Sequence, residues 1–365
     1  MELTFGIFFG IFFGVKRLLQ TPLNPQVLSY VKNIGKFLKQ WELSKDLQKD
    51  FYSWLKATTI ITSAGASTRI EGARISDEEI LERLENLKIQ KIKDRDEAEV
   101  AGYIDCLNYV FENYNNINIS EHTARSLHQM MCSYLTNDIL PPNQRGSYKN
   151  VPNSVVKTDH KTGEEDVIFE TTPPGIETDI AMKELFEDYN NFINDTDYSD
   201  LEVIAAFVVK FLAIHPFRDG NGRISRILTN LCLLKQGYEF TMYSSHEKTV
   251  EDNKELYYIS IRQTQGSMKG TPDINPWFLF FLKMLNVQAE ILKEKMVSKG
   301  SGRLTDFEDT ILVLIQKYQP VTISFLERTS DIKRVTIKSI LKKLKSLGMI
   351  EMTGSTKGSF YKLKR

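Results

Sequence analysis

The twelve residues from His215 to Arg226 read HPFRDGNGRISR and lie between two strongly apolar segments. The segment before them is IAAFVVKFLAI (204–214), and the segment after them is ILTNLCLL (227–234). Both have the composition and length of buried helices. The DGNG sequence at 219–222 does not continue a helix comfortably, because its two glycines favour a turn. The sequence therefore predicts two buried helices joined by a polar turn.

The turn is predicted to bind an anion. A glycine-rich turn at the start of a helix exposes unpaired backbone N–H groups and the positive end of the helix dipole. We therefore expect Gly220, Asn221 and Gly222 to line an anion site. Arg223 and Arg226 lie three residues apart on one face of the first helical turn, and guanidinium groups match phosphate oxygens.

The remaining polar residues of the turn indicate the chemistry. Asp219 suits a phosphate site if it holds Mg²⁺, which commonly binds through one or two carboxylates plus substrate phosphates. His215, at the end of the first apolar segment, is predicted to act as a general base near pH 7. Together these residues indicate phosphoryl or nucleotidyl transfer. The alternative, a helix-terminating turn with solvated arginines, explains each residue singly but not their combination.

The pattern H-P-F-x-D-G-N-G-R-x-x-R at 215–226 resembles the signature of Fic-domain proteins in full. The resemblance implies an all-α core that transfers AMP from the substrate ATP to a Ser, Thr or Tyr hydroxyl of a target protein. It implies that His215 deprotonates this hydroxyl and that Asp219 holds Mg²⁺ on the α- and β-phosphates. Arg223 and Arg226 would then bind the β- and γ-phosphates. Transfer of UMP or phosphocholine stays open, because the motif binds the diphosphate and not the base.

A stretch rich in Pro, Gly, Asn and Thr occupies residues 141–174. Within it, SVVK (154–157) and DVIF (166–169) predict a small β-hairpin. The resemblance implies that this hairpin is the Fic flap, which docks the backbone of the target protein by strand addition. The residues expected on its ligand-facing edge are Ile168, Phe169, Glu170 and Thr171.

Three further residues match positions near the adenine in Fic proteins, which are Tyr257, Tyr258 and Gln265. The alternative for the two tyrosines is an aromatic contribution to the core of a helix. Both interpretations stay open at this point.

The sequence STRIEG, from Ser67 to Gly72, resembles the inhibitory motif of many Fic proteins. The resemblance implies that the Glu71 carboxylate pairs with Arg226 and takes the arginine that the γ-phosphate needs. ATP would then bind in a non-productive pose. In some relatives the same glutamate supports removal of AMP, so this chain is expected to add AMP and also to be capable of removing it. The alternative for Glu71 is a solvated residue at a helix end.

The fold class predicted is mainly α, with a Fic-type helical core, a small β-hairpin flap and a C-terminal winged helix-turn-helix domain. Serine caps predict helix starts at Ser76, Ser120 and Ser199. The predicted division is an apolar N-terminal extension (1–23), an N-terminal helical region with the inhibitory helix (24–100), the catalytic core (101–296), a linker (297–303) and the winged-helix domain (304–365).

The C-terminal region is basic although the whole chain has no net charge. From Ser301 onward it has 13 Lys and Arg against 6 Asp and Glu. Its pattern predicts three helices and then two short strands, which resembles a winged helix. Such a domain binds DNA through basic residues on its third helix, here Lys333, Arg334, Lys338, Lys342, Lys343 and Lys345. The alternative function is therefore a DNA-binding regulator whose Fic core only binds ATP; a solvated docking or dimerisation face is equally open.

Three scattered cysteines, Cys106, Cys132 and Cys232, lack metal-ligand spacing and are expected to be reduced core residues of a cytoplasmic protein. The apolar run in residues 1–23 is too short to span a bilayer, so we expect no membrane partner. It also lacks the basic start of a signal peptide. We expect it to pack on the protein or to extend from it. The Fic resemblance also suggests a homodimer.

Overall fold

A computed structural model of the chain describes residues 14–45, 49–77, 79–80, 94–158, 165–300, 306–330, 332–346, 349–354 and 359–364. These residues are mainly helical, and their strands form two small antiparallel sheets. The predicted mainly-α fold class is confirmed.

The core is built from helices of very different length. They are α1 (Val15–Leu19), α2 (Gln26–Ser44), α3 (Lys49–Ile70), α4 (Arg95–Asn113), α5 (Glu121–Met131), α6 (Ile176–Phe192), α7 (Asp200–Ile214), α8 (Asn221–Lys235), α9 (His246–Glu251), α10 (Lys254–Ser267) and α11 (Asn275–Gly300). Short 3₁₀ turns lie at Tyr114–Asn116, Pro142–Gln144 and Glu239–Tyr243.

Helices α7 and α8 are the two buried helices that the apolar segments predict. Every residue of α7 from Leu201 to Ile214 is buried, as is nearly all of α8. The Ser199 side chain caps α7 by accepting a hydrogen bond from the Glu202 amide at 3.1 Å. The chain leaves α8 at Gly237, whose φ of +84° is readily adopted only by glycine. Burial of both helices fixes the position of the turn between them.

Two of the predicted domain boundaries fall inside helices, and the domain division itself stays a prediction. The boundary between residues 100 and 101 falls inside α4, because Asp94 caps that helix by accepting a hydrogen bond from the Glu97 amide. The linker predicted at 297–303 begins too early, because α11 runs without a break to Gly300. Residues 297–300 are therefore the last turn of a helix, while 301–303 lie outside the described residues.

The N-terminal extension is described from residue 14 onward. Its short helix α1 buries Val15, Leu18 and Leu19 and packs against α7 and α6. This part of the predicted extension packs on the core, and residues 1–13 lie outside the described residues. None of the helices in the described part of the chain has the length and apolar character needed to cross a membrane. Cys106, Cys132 and Cys232 are buried and free, as predicted.

The predicted hairpin is present, with β1 (Ser154–Thr158) paired antiparallel to β2 (Glu165–Glu170). Ser154 is opposite Glu170, and an irregularity in the register lies between Val155 and Val156. The turn residues 159–164 lie outside the described residues.

The C-terminal unit has its own small core. Its elements are α12 (Asp306–Tyr318), α13 (Ile323–Ser330), α14 (Arg334–Ser346), β3 (Ile350–Thr353) and β4 (Phe360–Leu363). The strands pair antiparallel, and Val321 forms an additional bridge to Tyr361. The predicted order of three helices and two strands is confirmed, whereas assignment as a winged helix stays a prediction. Lys317 Nζ contacts the core through Thr62 Oγ1 at 2.6 Å.

Candidate active site

The turn between α7 and α8 begins with a residue in an unusual conformation. His215 has φ 53° and ψ 58°, the left-handed region, which costs a non-glycine residue about 1–2 kcal/mol. Phe217, two residues later, is fully buried. Gly220 then adopts φ 81° and serves as the N-cap of α8. The two left-handed residues turn the chain sharply, so that the end of α7 and the start of α8 border one site.

His215 is neutral around pH 7. Burial lowers its pKa to about 4. Its Nδ1 lies 3.3 Å from the carbonyl oxygen of Leu212. Since a carbonyl oxygen only accepts hydrogen bonds, we assign the ring proton to Nδ1. The lone pair of Nε2 is then available to take a proton, as a general base requires.

The start of α8 has the predicted form of an anion site, with one difference at Asn221. Gly220 provides no side-chain cap, so the N-terminal amides of this 15-residue helix have no capping side chain. The Asn221 side chain is buried and bonds the backbone of Phe217, with its Oδ1 2.9 Å from the amide and its Nδ2 2.7 Å from the carbonyl oxygen. Asn221 therefore contributes only its backbone to the predicted anion site.

Arg226 is held by the motif predicted to be inhibitory. Its Nη2 donates to Glu71 Oε1 at 2.7 Å and to the Ser67 carbonyl oxygen at 2.9 Å, and its Nε donates to Ser67 Oγ at 2.9 Å. Burial alone would lower the pKa of the guanidinium, but the Glu71 carboxylate outweighs burial and raises it. The ion pair predicted from the sequence is present in the structure.

The backbone explains how Glu71 reaches this arginine. Helix α3 ends at Ile70, and Gly72 turns the chain with φ 105°. A Cβ atom on Gly222 would overlap the Glu71 carboxylate, so the approach requires glycine at this position of α8. Gly222 is therefore a contact point for Glu71 as well as a member of the predicted anion site.

Arg223 is buried between two carboxylates. Its Nη1 lies 2.9 Å from Glu99 Oε1, and its Nη2 lies 3.1 Å from Asp219 Oδ1. Arg95 Nη2 lies 2.8 Å from the other oxygen of Asp219. Burial raises the pKa of Asp219, but Arg223 and Arg95 outweigh burial and lower it. Arg95 and Glu99, both on α4, are site residues that the sequence analysis missed.

The residues present fit Mg²⁺ through a single carboxylate. Asp219 is ionised and 35% exposed, and it borders the anion site. Among the described residues there is no group of three or more His, Cys, Asp or Glu that would hold a metal on its own. One carboxylate beside a phosphate site matches the way Mg²⁺ binds together with substrate phosphates.

His128 on α5 contacts the turn through its ring and its Nε2. Its ring stacks on Phe217 with centroids 3.8 Å apart. Its Nε2 lies 2.9 Å from the Asp219 carbonyl oxygen, and its Nδ1 accepts from the Gly146 amide at 2.9 Å. Burial lowers its pKa to about 4. The sequence analysis also missed this residue, although a histidine on the apolar side of a predicted helix was a visible signal.

The residues predicted to lie near adenine are found on α10. Tyr257 is buried in a cluster with Trp277 and Phe280, as the alternative of an aromatic core residue expects. Tyr258 donates from its hydroxyl to the Ile70 carbonyl oxygen at 3.2 Å, directly before Glu71. Gln265 is also buried. Their role beside adenine stays a prediction.

The flap lies against the same helix, because β2 packs against α10. At its end, Phe169 is half-buried, Glu170 is exposed and Thr171 is buried. Ile168 belongs to β2. The structure thus brings the flap and the end of α3 into contact with α10.

The model of the Fic/DOC family matches residues 118–233. A Fido domain-containing protein of Dictyostelium discoideum is 41% identical over 91 residues, which are 24% of this chain and 62% of that protein. A protein adenylyltransferase Fic of Drosophila willistoni is 38% identical over 66 residues, 18% of this chain and 13% of that protein. Residues 118–233 are therefore similar to the Fic/DOC family, and the chain covers less than two thirds of either relative.

A crystal structure of a Fic family protein from Desulfovibrio desulfuricans G20 superposes with a TM-score of 0.60 and 18% sequence identity. The match covers 94% of this chain and 97% of the other. This similarity shows the fold alone, and it confirms the predicted Fic-type helical architecture.

Proposed function

We propose that this chain, whose residues 118–233 match the Fic/DOC family, is a protein adenylyltransferase that moves AMP from ATP to a Ser, Thr or Tyr hydroxyl. The observation that supports this most is the turn at 215–222. It places a neutral His215 beside the open N-terminus of α8 and the Asp219 carboxylate. A base, a metal-binding carboxylate and an anion site are the groups that such a transfer needs.

In the proposed reaction, His215 Nε2 takes the proton of the target hydroxyl. The hydroxyl oxygen forms a bond to the α-phosphorus, and the bond from this phosphorus to the oxygen bridging to the β-phosphate breaks. Pyrophosphate leaves. The backbone amides at the start of α8 stabilise the charge that develops on the phosphate oxygens. The hydrogen bond from Nδ1 to Leu212 keeps the ring oriented throughout.

Asp219 is the residue that would hold Mg²⁺. The ion supplies neutralisation of phosphate charge when it is bound. Arg95 contacts Asp219 Oδ2 in the structure, so a metal held by this carboxylate would compete with the ion pair. Arg95 is more than half exposed, which allows its side chain to turn towards solvent.

Glu71 is proposed to inhibit the transfer. The γ-phosphate of ATP would need Arg226, whose guanidinium is engaged by Glu71 and Ser67. The Glu71 carboxylate also adds negative charge beside the phosphate site. When Glu71 is displaced, the same carboxylate is available to act on a water, so removal of AMP is a second activity to be tested.

The target protein is proposed to dock on the 141–174 flap. β-Strand addition requires an accessible strand edge, and the hairpin has only two strands, β1 and β2. Three buried free cysteines support a reducing compartment such as the cytoplasm. A homodimer is a further proposal, and gel filtration with light scattering tests it.

The test uses ATP labelled at the α-phosphate. Glu71→Gly protein should label itself or a lysate protein at least about tenfold more than the wild type, because Arg226 is released for the γ-phosphate. The variant Glu71→Gly with His215→Ala is the control and should not label. Equal labelling of wild type and Glu71→Gly would contradict autoinhibition, and labelling that survives His215→Ala would contradict the proposed reaction.

A second candidate function, DNA binding, is supported by α14. This helix has several exposed basic side chains, which are Lys338, Lys342, Lys343 and Lys345. Binding of a DNA duplex by the full chain, followed by fluorescence anisotropy, should weaken steeply as salt rises. Absence of binding at low salt would remove this candidate and leave transfer of AMP untouched.

A further inference from the structure

The base of the flap contains a buried lysine that the reaction above does not use. Lys149 is 3% exposed. Its Nζ donates to Asn153 Oδ1 at 2.7 Å, to Thr171 Oγ1 at 2.7 Å and to the Ile214 carbonyl oxygen at 3.1 Å. Asn153 directly precedes β1, and Thr171 directly follows β2. The lysine therefore joins both ends of the flap to the last residue of α7.

The same segment binds the backbone of the turn at four consecutive residues. Lys149 uses its Nζ for the Ile214 carbonyl and its backbone amide for the Pro216 carbonyl, at 3.1 and 2.7 Å. The Asn153 Nδ2 lies 3.3 Å from the His215 carbonyl oxygen and 2.9 Å from the Phe217 carbonyl oxygen. Every carbonyl from 214 to 217 thus has a partner at the base of the flap.

These bonds hold His215 in a strained backbone conformation. His215 occupies a left-handed conformation that costs about 1–2 kcal/mol, and such a residue persists only when its surroundings hold it. The three oxygens bound by Lys149 Nζ belong to an amide, a hydroxyl and a backbone carbonyl, none of which is charged. An ammonium buried among neutral acceptors is costly, and burial accordingly lowers the pKa of Lys149 to about 7. Stability alone therefore does not explain a lysine at this position.

We propose that Lys149 and Asn153 are positioning residues that hold His215 at the base of the flap, so that the strand on which the target docks and the base that deprotonates it form one rigid unit. The inference rests on the proposed function. Neither residue touches ATP or the hydroxyl in this account. They act through their hydrogen bonds to the backbone of residues 214–217. Thr171, which directly follows β2, is hydrogen-bonded to both residues and so links them to that strand.

The arrangement also bears on the charge of His215. Three charged groups act on the pKa of its ring: Lys149 lowers this pKa, and Glu71 and Asp219 raise it. Removal of the Lys149 charge should therefore raise the pKa of His215, while removal of an unrelated lysine should not. Because a loosened turn would expose the ring and also raise this pKa, the titration is read together with Asn153→Ala, which removes bonds to the turn but keeps the Lys149 charge and should leave the His215 pKa closer to the parent value.

The test compares variants in the Glu71→Gly background. Lys149→Met should lower kcat about tenfold and leave KM for ATP within about twofold, because the change affects orientation rather than nucleotide binding. Lys149→Arg, which keeps a charge and several donors, should return kcat to within about threefold. Asn153→Ala keeps the lysine and should also lower kcat, which provides a second test should Lys149→Met not fold.

An NMR titration of ¹³C-labelled histidine supplies the second readout. The His215 signal, assigned by its loss in His215→Ala, should titrate at higher pH in Lys149→Met and at the parent value in Lys149→Arg. Lys183→Met, an exposed lysine on α6, is the matched control and should change neither kcat nor the titration. A folded Lys149→Met with the parent kcat and the parent His215 pKa would overturn the proposal. If the parent transfers no AMP at all, the proposed function fails, yet the titration still decides whether Lys149 acts on His215.

Discussion

Helices α8 and α14 both have several cationic side chains, but these are buried at the start of α8 and exposed on α14. Arg223 and Arg226 are each 2% exposed and pair with the carboxylates of Glu99, Asp219 and Glu71. On α14, Lys338 and Lys342 are exposed. The same residue class is thus part of a prearranged site in one helix and of a solvated face in the other.

The difference follows from burial. A buried charge is tolerated when a partner compensates it, and removal of that partner leaves it costly. An exposed charge is solvated by water, and its pairs contribute little. Groups at the start of α8 are therefore expected to act together and to be sensitive to single changes, whereas lysines on α14 should act independently and additively.

Loss of the base should give the largest effect. His215→Ala, in the Glu71→Gly background, is expected to lower the rate of AMP transfer by about 10³-fold, because no other group described in the turn is placed to take the proton. Incorporation of the α-labelled phosphate measures this rate. The change should not alter duplex binding by the same protein. A loss of both activities together would contradict the separation of the two regions.

A matched pair of substitutions tests the difference in burial. Arg226→Met should lower the free energy of unfolding by about 3 kcal/mol, since it removes a buried ion pair together with two hydrogen bonds to Ser67. Lys338→Met on α14 should change it by no more than about 0.5 kcal/mol. Urea unfolding followed by circular dichroism measures both values. Equal effects would show that burial does not distinguish the two helices.

The pH dependence of AMP transfer should show the burial of His215, with a smaller effect than the substitutions above. Burial lowers the pKa of His215 to about 4, so the ring stays neutral, and able to accept a proton, well below its ordinary value of 6.5. On acidification, kcat/KM of Glu71→Gly protein should therefore remain level through pH 6 and fall only nearer pH 4 to 5. Loss of Glu71 removes a charge that raises this pKa, so the fall shifts towards acid and not towards neutrality. An acid limb at pH 6.5 in a steady-state pH profile would contradict the burial of the ring.

Much of this arrangement could be predicted because it is local in the sequence. The apolar runs predicted α7 and α8, Ser199 predicted where α7 begins, and the DGNG sequence predicted the turn. The pairing of Glu71 with Arg226 is not local, and it was predicted only through the resemblance of STRIEG to a known motif. The predicted boundary between residues 100 and 101 rested on neither a local pattern nor a motif, and it falls inside α4.

The contacts that were missed come from the packing of helices distant in sequence. Arg95 reaches Asp219 across 124 residues, and His128 reaches it across 91. Such contacts depend on how α4 and α5 lie against the turn, which no periodicity in either helix reveals. The role of Lys149 was not predicted either. Its bonds to the carbonyls of the turn are formed only when the flap folds onto α7.

Substitution of the exposed lysines of α14 should give the smallest effect, and this effect should grow with the number of lysines replaced. Lys338 and Lys342 lie four residues apart and so share a face of the helix. If this face contacts DNA phosphates, each lysine contributes about 0.9 to the slope of log K against log salt concentration, so the double change to Met should reduce the slope by nearly 2. AMP transfer should not change, because both side chains belong to the C-terminal unit, whose core is separate from the one that holds the turn at 215–222. Arg334, at the start of α14, pairs with Glu327 on α13. Arg334→Met should therefore reduce the slope less than the change of a lysine, and it serves as the comparison. A slope unaffected by the double change would leave α14 as a solvated face, and the cations of α8 as the ones with a role in function.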